Sequence, residues 1–405
     1  MRAELLDNFS EFTAISAANE LESIARWWLE HSLDFDNGGF WGEIDNDAKP
    51  SRKADKGIVL NTRVLWFFSE LAFSTENESY KRAAHRAYEY LLSHFFDTAF
   101  GGFFWSLDYK GHVIDAKKQV YAQCFAVYAL CSYSKLTGNE QAKALAYSTF
   151  ELIEHYALDR EQGGYIEACS REWGSIDDYR LSDKDLNCPK SMNTHLHVLE
   201  AYTSLHHVSP NENTANALRH ALTVFLDKIV TDDGAHLKLF FDTQWTCLSH
   251  EVSYGHDIEA SWLIYEAAEV LEDEQLTRET TKIALTLASV CRENGIAANG
   301  YVLDEYNPQT REVSDNSYWW VQAEALVGFY NAYQLTKDRK YLEAVDHIWQ
   351  FIQSEHKDHG EWLWLARSQG GRGLNYKAGS WKGPYHNGRA MLEMVKRFKE
   401  ATANE

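Results

Sequence analysis

Stretches with apolar residues at every third or fourth position alternate along this chain with short segments that begin at glycine. Each glycine-led segment continues as an alternating aromatic or apolar pattern, which is typical of a short strand. The segments are NGGFWGEID at 37–45, FGGFFWSLD at 100–108, QGGYIEA at 162–168, DGAHLKLF at 233–240, NGYVLDEY at 299–306 and HGEWLWLA at 359–366. Because they recur at intervals of roughly 60 to 70 residues, they indicate a repeated supersecondary unit.

A helical pattern lies on each side of every glycine-led segment, so the chain divides into helix pairs. The predicted helices are Ala17–Leu33, Gly57–Phe73, Glu78–Phe95, Lys118–Leu136, Gln141–Tyr156, Ser191–His207, Asn213–Val230, Gly255–Leu271, Gln275–Arg292, Ser317–Leu335, Lys340–Glu355 and Pro384–Lys399. About twelve helices in six pairs, with short β-hairpins in the loops between them, predict an all-α (α/α)6 barrel as a single domain over residues 1–405. A linear solenoid is the competing arrangement.

The helix after each glycine-led segment opens with polar or aromatic residues that are unusual in an otherwise apolar helix. They are Arg63; Tyr121 and Gln123; Asn193, His195 and His197; His256 and Glu259; Trp319, Trp320 and Glu324; and Trp381 and His386. Their recurrence at one end of alternate helices favours the closed ring, in which these first turns meet at one mouth. Because buried polar side chains must be paired, the set predicts a ligand pocket there.

Histidine moves protons readily near neutral pH, because its unperturbed pKa is about 6.5. Two histidines from opposite helices can face one carbon atom, so that one removes a proton, the other returns it, and the centre is inverted. His256 and Glu259 lie three residues apart on one helical face, and we expect Glu259 to orient or polarise this imidazole. Arg63 is followed by the apolar residues 64–67, so it must find an anion or a ligand oxygen or else reach the surface. Tryptophan rings offer flat faces to sugar C–H groups.

Composition narrows the range of partners. A net charge of −21 disfavours nucleic acid and anionic lipid surfaces. The six cysteines are scattered without a Cys-x-x-Cys pair, and no Gly-x-Gly-x-x-Gly follows a strand, so neither a structural zinc site nor nicotinamide binding is expected. The first residues do not resemble a signal peptide, and no apolar run would cross a bilayer, which predicts a cytoplasmic protein without membrane partners.

Five blocks in a fixed order carry a resemblance to a known family. The blocks are KGIVLNTRVLWFFSELA, SDKDLNCPKSMNTHLHVLEAY, SYGHDIEASWL, WWVQAEA and WKGPYHNGRA. Together they resemble the cellobiose 2-epimerases of the N-acylglucosamine 2-epimerase superfamily, from about Asp34 to Arg397. The resemblance implies an (α/α)6 barrel and an isomerase without a cofactor, which converts the reducing-end glucose of β-1,4-linked disaccharides to mannose. Cellobiose, lactose and mannobiose would be its substrates, and we expect a monomer or a homodimer.

The resemblance also implies roles for individual residues. Catalytic roles fall on Arg63, His197, His256, Glu259 and His386, with His256 and His386 as the proton-transfer pair. Sugar-binding roles fall on Trp319, Trp381, Asp185 and Asn193, to which the pattern of the inner helices adds Tyr121 and Glu324. The implied reaction is ring opening, C2 deprotonation to a cis-enediolate, rotation about C2–C3 and reprotonation. Arg63 would stabilise the enediolate oxygens, and His197 and Glu259 would position O1 and O2 or tune the bases.

Other enzymes remain open on the sequence alone. A mannose–fructose isomerase of the same superfamily would share the enediolate and return the proton to C1, and a monosaccharide 2-epimerase is a close variant. A glycoside hydrolase on the same barrel would need two carboxylates flanking the bond. Its candidates are Asp185, Glu259 and Glu324.

Two further readings are weaker. A sugar-binding module without catalysis would explain the tryptophans but not His256, His386 or Arg63. A metal site could use His256, Glu259 and His197, but no motif such as His-Glu-x-x-His is present, so no metal is expected.

Some of these residue types are expected to be structural. His195 and His197 point to different sides of a helix, and we expect His195 to be the structural one. Of the adjacent Trp319 and Trp320, at most one should face a sugar fully. Core positions are expected for Trp27, Trp28, Trp66 and Trp349, and surface or edge positions for His31, His85, His94, His206 and His207.

Overall fold

The computed structural model describes residues 12–373 and 375–403, which contain twelve α-helices. The helices are α1 (Ala14–His31), α2 (Ile58–Thr75), α3 (Glu78–Tyr90), α4 (Val120–Thr137), α5 (Glu140–Tyr156), α6 (Met192–Val208), α7 (Glu212–Val224), α8 (Tyr254–Val270), α9 (Glu274–Asn294), α10 (Trp319–Thr336), α11 (Arg339–Phe351) and α12 (His386–Ala403). Three outer helices continue as single π-helical turns, at Leu91–Phe95, Phe225–Ile229 and Ile352–His356. None of the described helices has the length and apolar character needed to span a membrane.

The even-numbered helices form an inner ring. Contacts run in order from α2 through α4, α6, α8 and α10 to α12, and α12 contacts α2 again. Each odd-numbered helix packs outside this ring, α1 against α12 and the others against the inner helix that precedes them in the chain. The predicted (α/α)6 barrel is therefore confirmed, and the solenoid was the wrong alternative.

The difference between the two rings follows from the distribution of apolar residues. In α2 every residue from Ile58 to Ser69 is buried, as expected of a helix enclosed on all sides. In α11 the buried residues recur at three- and four-residue intervals, as in Tyr341, Ala344 and Ile348, which gives one packed face and one solvated face. The four tryptophans expected in the core, Trp27, Trp28, Trp66 and Trp349, are all buried.

Short strands gather at the end of the ring where the inner helices begin. They are β1 (Lys56–Gly57), β2 (Ser106–Leu107), β3 (Val113–Asp115), β4 (Lys118–Gln119), β5 (Ala168–Cys169), β6 (Lys190–Ser191), β7 (Phe240–Phe241), β8 (Val252–Ser253), β9 (Glu305–Tyr306), β10 (Val313–Ser314), β11 (Lys357–Asp358) and β12 (Glu361–Trp362). The strand before an inner helix pairs antiparallel with a strand of the next repeat, as β1 does with β2 and β4 with β5. These pairs join neighbouring repeats around the mouth.

A polar side chain at the fourth residue of an inner helix fixes the preceding hairpin to that helix. In α4, the amide of Gln123 accepts the N–H of Phe103 at 2.8 Å and donates to its carbonyl oxygen at 2.9 Å. The corresponding bonds join His195 to the N–H of Tyr165, Asp257 to the N–H of Leu237, and Gln322 to both backbone groups of Val302. His195 thus has the structural position expected of it. These anchors also fix the rotation of each inner helix about its axis.

Buried lysine–aspartate pairs hold the first three hairpins. Lys56 Nζ lies 2.8 Å from Asp34 Oδ2, and both side chains are fully enclosed. Burial by itself lowers the pKa of Lys56 and raises that of Asp34, but the pair and the N–H of Asn37 keep the carboxyl pKa below its usual value. The equivalent pairs are Lys118 with Asp97 and Lys190 with Asp159.

Replacing Lys56 by methionine should lower the free energy of unfolding by roughly 3 kcal/mol, because it leaves the Asp34 carboxylate buried without its cation. Chemical denaturation measures this. The control is Lys81→Met, which removes an exposed pair with Glu78 at 3.9 Å and should change stability by less than about 1 kcal/mol. Equal effects of the two substitutions would contradict a stabilising role for the buried pair.

Candidate active site

A cavity of about 250 Å³ opens at the mouth, where the first turns of the inner helices converge. It collects most of the residues singled out in the sequence, namely Arg63, Tyr121, Asn193, His197, His256, Glu259, Trp319, Trp381 and His386. Trp320, which the same pattern placed at the mouth, also lines it, together with residues that the sequence analysis did not place there, namely Lys184, Asp304, Tyr318 and Trp364. Most of these come from loops between hairpins and helices, whose paths are not readable from periodicity.

The deepest layer of the site has a regular origin. Two residues beyond each hairpin anchor, the inner helix directs a side chain toward the barrel axis. Around the ring these side chains are Arg63, Phe125, His197, Glu259, Glu324 and Arg389, and all six are buried. The spacing holds in α2 and α12 as well, where Asn61 and Asn387 are the polar residues two positions earlier. Six equivalent positions therefore carry two cations, two carboxyl groups, one imidazole and one phenyl ring.

His386 is held by a carboxylate. Its Nδ1 lies 2.7 Å from Glu324 Oε1 and 4.0 Å from Glu259 Oε1. An Nδ1–H donated to the carboxylate leaves Nε2 as the unprotonated nitrogen of a neutral ring. Burial and then the charges of Arg63 and Arg389 hold the pKa of His386 well below its usual value, so the ring is neutral at physiological pH.

His256 is held differently. Its Nδ1 lies 2.8 Å from Ser253 Oγ, and a hydroxyl can either donate or accept, so both neutral tautomers are available. Burial, with a smaller effect from His197, lowers its pKa to about 3. The expectation that Glu259 orients His256 was wrong, because Glu259 Oε1 instead accepts a 2.5 Å hydrogen bond from Arg389 Nη2. The guanidinium draws this carboxylate toward the axis and away from its helical neighbour.

Trp320 packs against both histidines. Its ring centroid lies 4.8 Å from that of His256 and 5.6 Å from that of His386. Trp319 also lines the cavity, and its buried indole N–H has no hydrogen-bond partner among the described residues. Both tryptophans therefore contribute to the wall of the cavity.

Arg63 forms no direct ion pair with a carboxylate among the described residues. Its Nη1 donates to the carbonyl oxygen of Trp381 at 3.1 Å, its Nη2 donates to the Tyr121 hydroxyl at 2.8 Å, and its Nε is buried without a partner. The guanidinium lies over the rings of Phe125 and Tyr385 at 4.6 and 4.8 Å. Burial raises the pKa of Tyr121 to about 12 against the opposing charge of Arg63, so the phenol stays neutral. This cation is available to a ligand oxygen, as the sequence analysis required.

His197 is held by a carboxylate one turn deeper in the barrel. Its Nδ1 lies 2.9 Å from Glu200 Oε2, and the Tyr385 hydroxyl donates to Glu200 Oε1 at 2.5 Å. Burial would raise the pKa of Glu200, but Arg389 and His197 outweigh it and lower the value to about 2. Glu200 is therefore an anion at any working pH.

Arg389 is a further residue of the site that the sequence analysis did not single out. Its Nη2 donates to Glu259 Oε1 at 2.5 Å and to Glu324 Oε1 at 2.6 Å, and its Nη1 donates to Glu200. The signal was present, because Arg389 stands in the WKGPYHNGRA block and has the same two-residue spacing as Arg63 and His197.

Two of the residues expected to bind sugar lie elsewhere. Glu324 is fully buried and bonds to His386, Arg389 and the indole of Trp262, so its oxygens are engaged by the protein rather than directed at a ligand. Asp185 accepts hydrogen bonds from the backbone and hydroxyl of Ser182. It lines an adjoining cavity of about 130 Å³ rather than the main one, although Asn193 and His256 border both.

One group of described residues has the donor geometry for a metal ion. It comprises Glu259, Glu324 and His386, whose ligand atoms lie within 4.8 Å of one another. It differs from the trio considered in the sequence, and Arg389 already places a positive charge against both of its carboxyl groups.

Comparisons with known proteins agree with this geometry. The family model described as N-acylglucosamine 2-epimerase (GlcNAc 2-epimerase) matches residues 39–390. The chain is 43% identical over 375 residues to cellobiose 2-epimerase of Bacteroides fragilis, covering 92% of this chain and 95% of that protein. The solved structure of cellobiose 2-epimerase from Bacillus thermoamylovorans is similar with a TM-score of 0.90 at 36% identity, covering 95% of this chain and 99% of that one. A D-mannose isomerase structure, at 20% identity, 95% and 97% coverage and a TM-score of 0.82, shares the fold.

Gly255 permits the contact between Trp320 and His256, so a methyl group there should displace the indole. A Cβ at position 255 would lie 2.6 Å from Trp320 Cη2 and 2.7 Å from Val321 Cγ2, and overpacking of this kind costs about 1–3 kcal/mol. In Gly255→Ala we expect the imidazole signals of His256 and His386 to shift in ¹H–¹⁵N spectra, while that of His195 stays in place. The control is Gly373→Ala, since an added Cβ there meets nothing within 4 Å. Unchanged signals in Gly255→Ala would show that Trp320 does not position the histidines.

Proposed function

The chain belongs to the N-acylglucosamine 2-epimerase family and is a carbohydrate epimerase, and we propose that it inverts C2 of the reducing-end sugar in β-1,4-linked disaccharides without a cofactor. The observation that carries this proposal is the pair of histidines, the half-buried His256 and the buried His386, that line one cavity from different inner helices. The pKa values of both are lowered by burial, so both rings are neutral near neutral pH. The disaccharide is favoured because the relatives at 43% and 36% identity are named cellobiose 2-epimerases.

The proposed reaction needs a base and an acid on opposite faces of one carbon. Once the sugar ring has opened to the aldehyde, the C2 proton is acidic, because the carbanion is delocalised onto O1 as an enediolate. His386 is suited to be the base, since Glu324 holds its Nδ1–H and leaves the Nε2 lone pair free. His256 can serve in either role because the Ser253 hydroxyl supports both tautomers. The histidine that acts as the acid takes up a proton from solvent as the enediolate forms and, after rotation about C2–C3, returns it to the opposite face of C2. The histidine that acted as the base then releases its proton to solvent, so both rings end the cycle neutral.

Charge that develops on the enediolate needs a fixed cation. Arg63 has no direct carboxylate partner among the described residues, so its full charge can stabilise O1 and O2. Oxyanion stabilisation of this kind commonly contributes a factor of about 10²–10³ in rate.

Two other residues act on the sugar hydroxyls and their protons. His197, held by Glu200, presents its other ring nitrogen to a sugar hydroxyl. Burial and the neighbouring Glu324 raise the pKa of Glu259 to about 7 against the effect of Arg389, so this residue can exchange a proton with the sugar near neutrality.

The outer part of the cavity would receive the second sugar. Trp364, Tyr318 and Trp381 supply aromatic faces there, and Lys184 and Asp304 supply polar groups. A hydrolase is a weaker proposal, because Glu324 is engaged by His386 and Arg389 and so does not flank the cavity as a free carboxylate.

Product identification tests the reaction. Incubation with cellobiose, lactose, mannobiose and mannose should give 2-epimers of the disaccharides, which chromatography and NMR distinguish from other products. A ketose as the main product would contradict the proposed epimerisation and indicate aldose–ketose isomerisation. Release of free glucose from cellobiose would likewise contradict the proposal and indicate a glycoside hydrolase.

The two histidines should be required. His256→Asn and His386→Asn should each lower kcat by about 10²–10⁴-fold, the usual contribution of general acid–base catalysis, with an unchanged circular dichroism spectrum. His347→Asn, on the exposed face of α11, is the matched control and should keep full activity. Full activity in either site variant would remove that histidine from the mechanism.

A further inference from the structure

We propose that Arg389 is a positioning residue for this epimerisation, because its guanidinium gathers Glu200, Glu259 and Glu324 and thereby keeps the supported histidines in the tautomer that presents an unprotonated nitrogen to the sugar. The role deepens the proposed function and rests on it. No described contact places Arg389 at the cavity itself, so it acts through other side chains.

The geometry makes Arg389 the junction of three helices. Both of its terminal nitrogens are used, Nη2 for Glu259 on α8 and Glu324 on α10, and Nη1 for Glu200 on α6. Its side chain is 2% exposed, and its guanidinium lies against the rings of Tyr385 at 4.3 Å and Trp262 at 4.8 Å. Water therefore has little room to replace any of these contacts.

Two of the three carboxyl groups hold histidines. Glu324 Oε1, which accepts from Arg389, is the same atom that lies 2.7 Å from His386 Nδ1. Glu200 accepts from Arg389 and holds His197 Nδ1 through its other oxygen. The guanidinium thus fixes the position of each carboxylate. Through the hydrogen bond between that carboxylate and Nδ1, it also fixes the orientation of each imidazole.

Ionisation gives this geometry its effect. Three carboxyl groups in one enclosed cluster repel one another, and burial raises the pKa of both Glu259 and Glu324 while Arg389 opposes the rise. Without the guanidinium these groups would take up protons more readily. A protonated Glu324 would donate to His386 Nδ1 instead of accepting from it, which would move the ring proton to Nε2 and remove the free base.

The other ionisable groups near the cluster act in smaller ways. Those that interact electrostatically with Arg389 or its three carboxyl partners are Tyr121, Cys124, Tyr128, His197, Glu266, Tyr385 and His386, with Arg63 and His256 acting on His386. Tyr121, Cys124, Tyr128 and Tyr385 have pKa values raised by burial, so they remain neutral in the working range.

A lysine at this position would keep the charge but not the arrangement. The planar guanidinium offers donors in a fixed fork that reaches three helices, whereas an ammonium group is a point charge on a flexible stem. Arg389→Lys therefore separates positioning from simple neutralisation.

The first test uses the free protein, so that it does not depend on any substrate. In wild type, ¹⁵N imidazole shifts should report His386 as the neutral tautomer with the proton on Nδ1. Arg389→Ala and Arg389→Lys should move the proton to Nε2 or mix the tautomers. The control Arg397→Lys alters an arginine on the same helix that contacts Asn331, Gln334 and Glu393, and it should leave the His386 signal unchanged.

The second test follows activity against pH. Loss of Arg389 raises the pKa of Glu324, Glu259 and His386 together, so the acid limb of kcat should move to higher pH by at least about one unit. At neutral pH kcat should fall at least about 10²-fold with KM changed far less. Added guanidinium or methylguanidinium ion should restore Arg389→Ala at least about tenfold.

The outcomes separate the two proposals. An Nε2–H tautomer for His386 in wild type, or an unchanged tautomer and acid limb in Arg389→Lys, would overturn the positioning role. If Arg389→Ala does not fold, the wild-type spectrum and Arg389→Lys still decide the question. A tautomer change on loss of Arg389, in a protein that epimerises none of the sugars, would overturn the proposed function and leave the positioning of His386 established.

Discussion

Arg389 joins carboxyl groups from three inner helices at the axis of the barrel, and the closed ring depends on this contact because charges buried there need partners. Each unpaired carboxylate at such a depth would destabilise the fold by several kcal/mol. The guanidinium satisfies Glu200, Glu259 and Glu324 together, and these in turn fix His197 and His386. The interaction that lets the helices close around a polar centre is therefore also the one that arranges the histidines.

The arrangement of this centre is set at the hairpins. An inner helix that is apolar on all sides is buried whichever side faces the axis, so its apolar pattern alone does not indicate its rotation. The hairpin anchors fix this rotation, because each of them bonds to the backbone of a hairpin and so holds its helix at one angle to that hairpin. These anchors are Gln123, His195, Asp257 and Gln322. In these four repeats the residue two positions later is Phe125, His197, Glu259 or Glu324, and each of them is buried. Polar chemistry can vary at that position while the anchor keeps the same geometry.

The sequence predicted the barrel well and the site in part. A glycine-led strand with a helix on each side occurs six times, and a repeat of that kind leaves few closed arrangements. The residues at the mouth were found because polar side chains interrupt apolar helices at one end. The hydrogen-bond partners of these residues were not predicted, because bonds across the axis join residues that are far apart in the chain. Glu259, for example, bonds to Arg389 rather than to His256. Asp185 was misplaced because it lies on a loop, and periodicity does not determine the path of a loop.

Two arginines, each two residues after a buried asparagine, illustrate how one repeat places the same side chain in two different surroundings. Arg389 is surrounded by three carboxyl groups and forms an ion pair with each of them. Arg63, on the neighbouring helix, donates instead to the neutral Tyr121 hydroxyl and the Trp381 carbonyl oxygen and lies over the rings of Phe125 and Tyr385. Among the described residues that line the cavity at the deepest layer, the cation without a carboxylate partner therefore lies on the α2 side. An enediolate forming between the two histidines would be drawn toward Arg63.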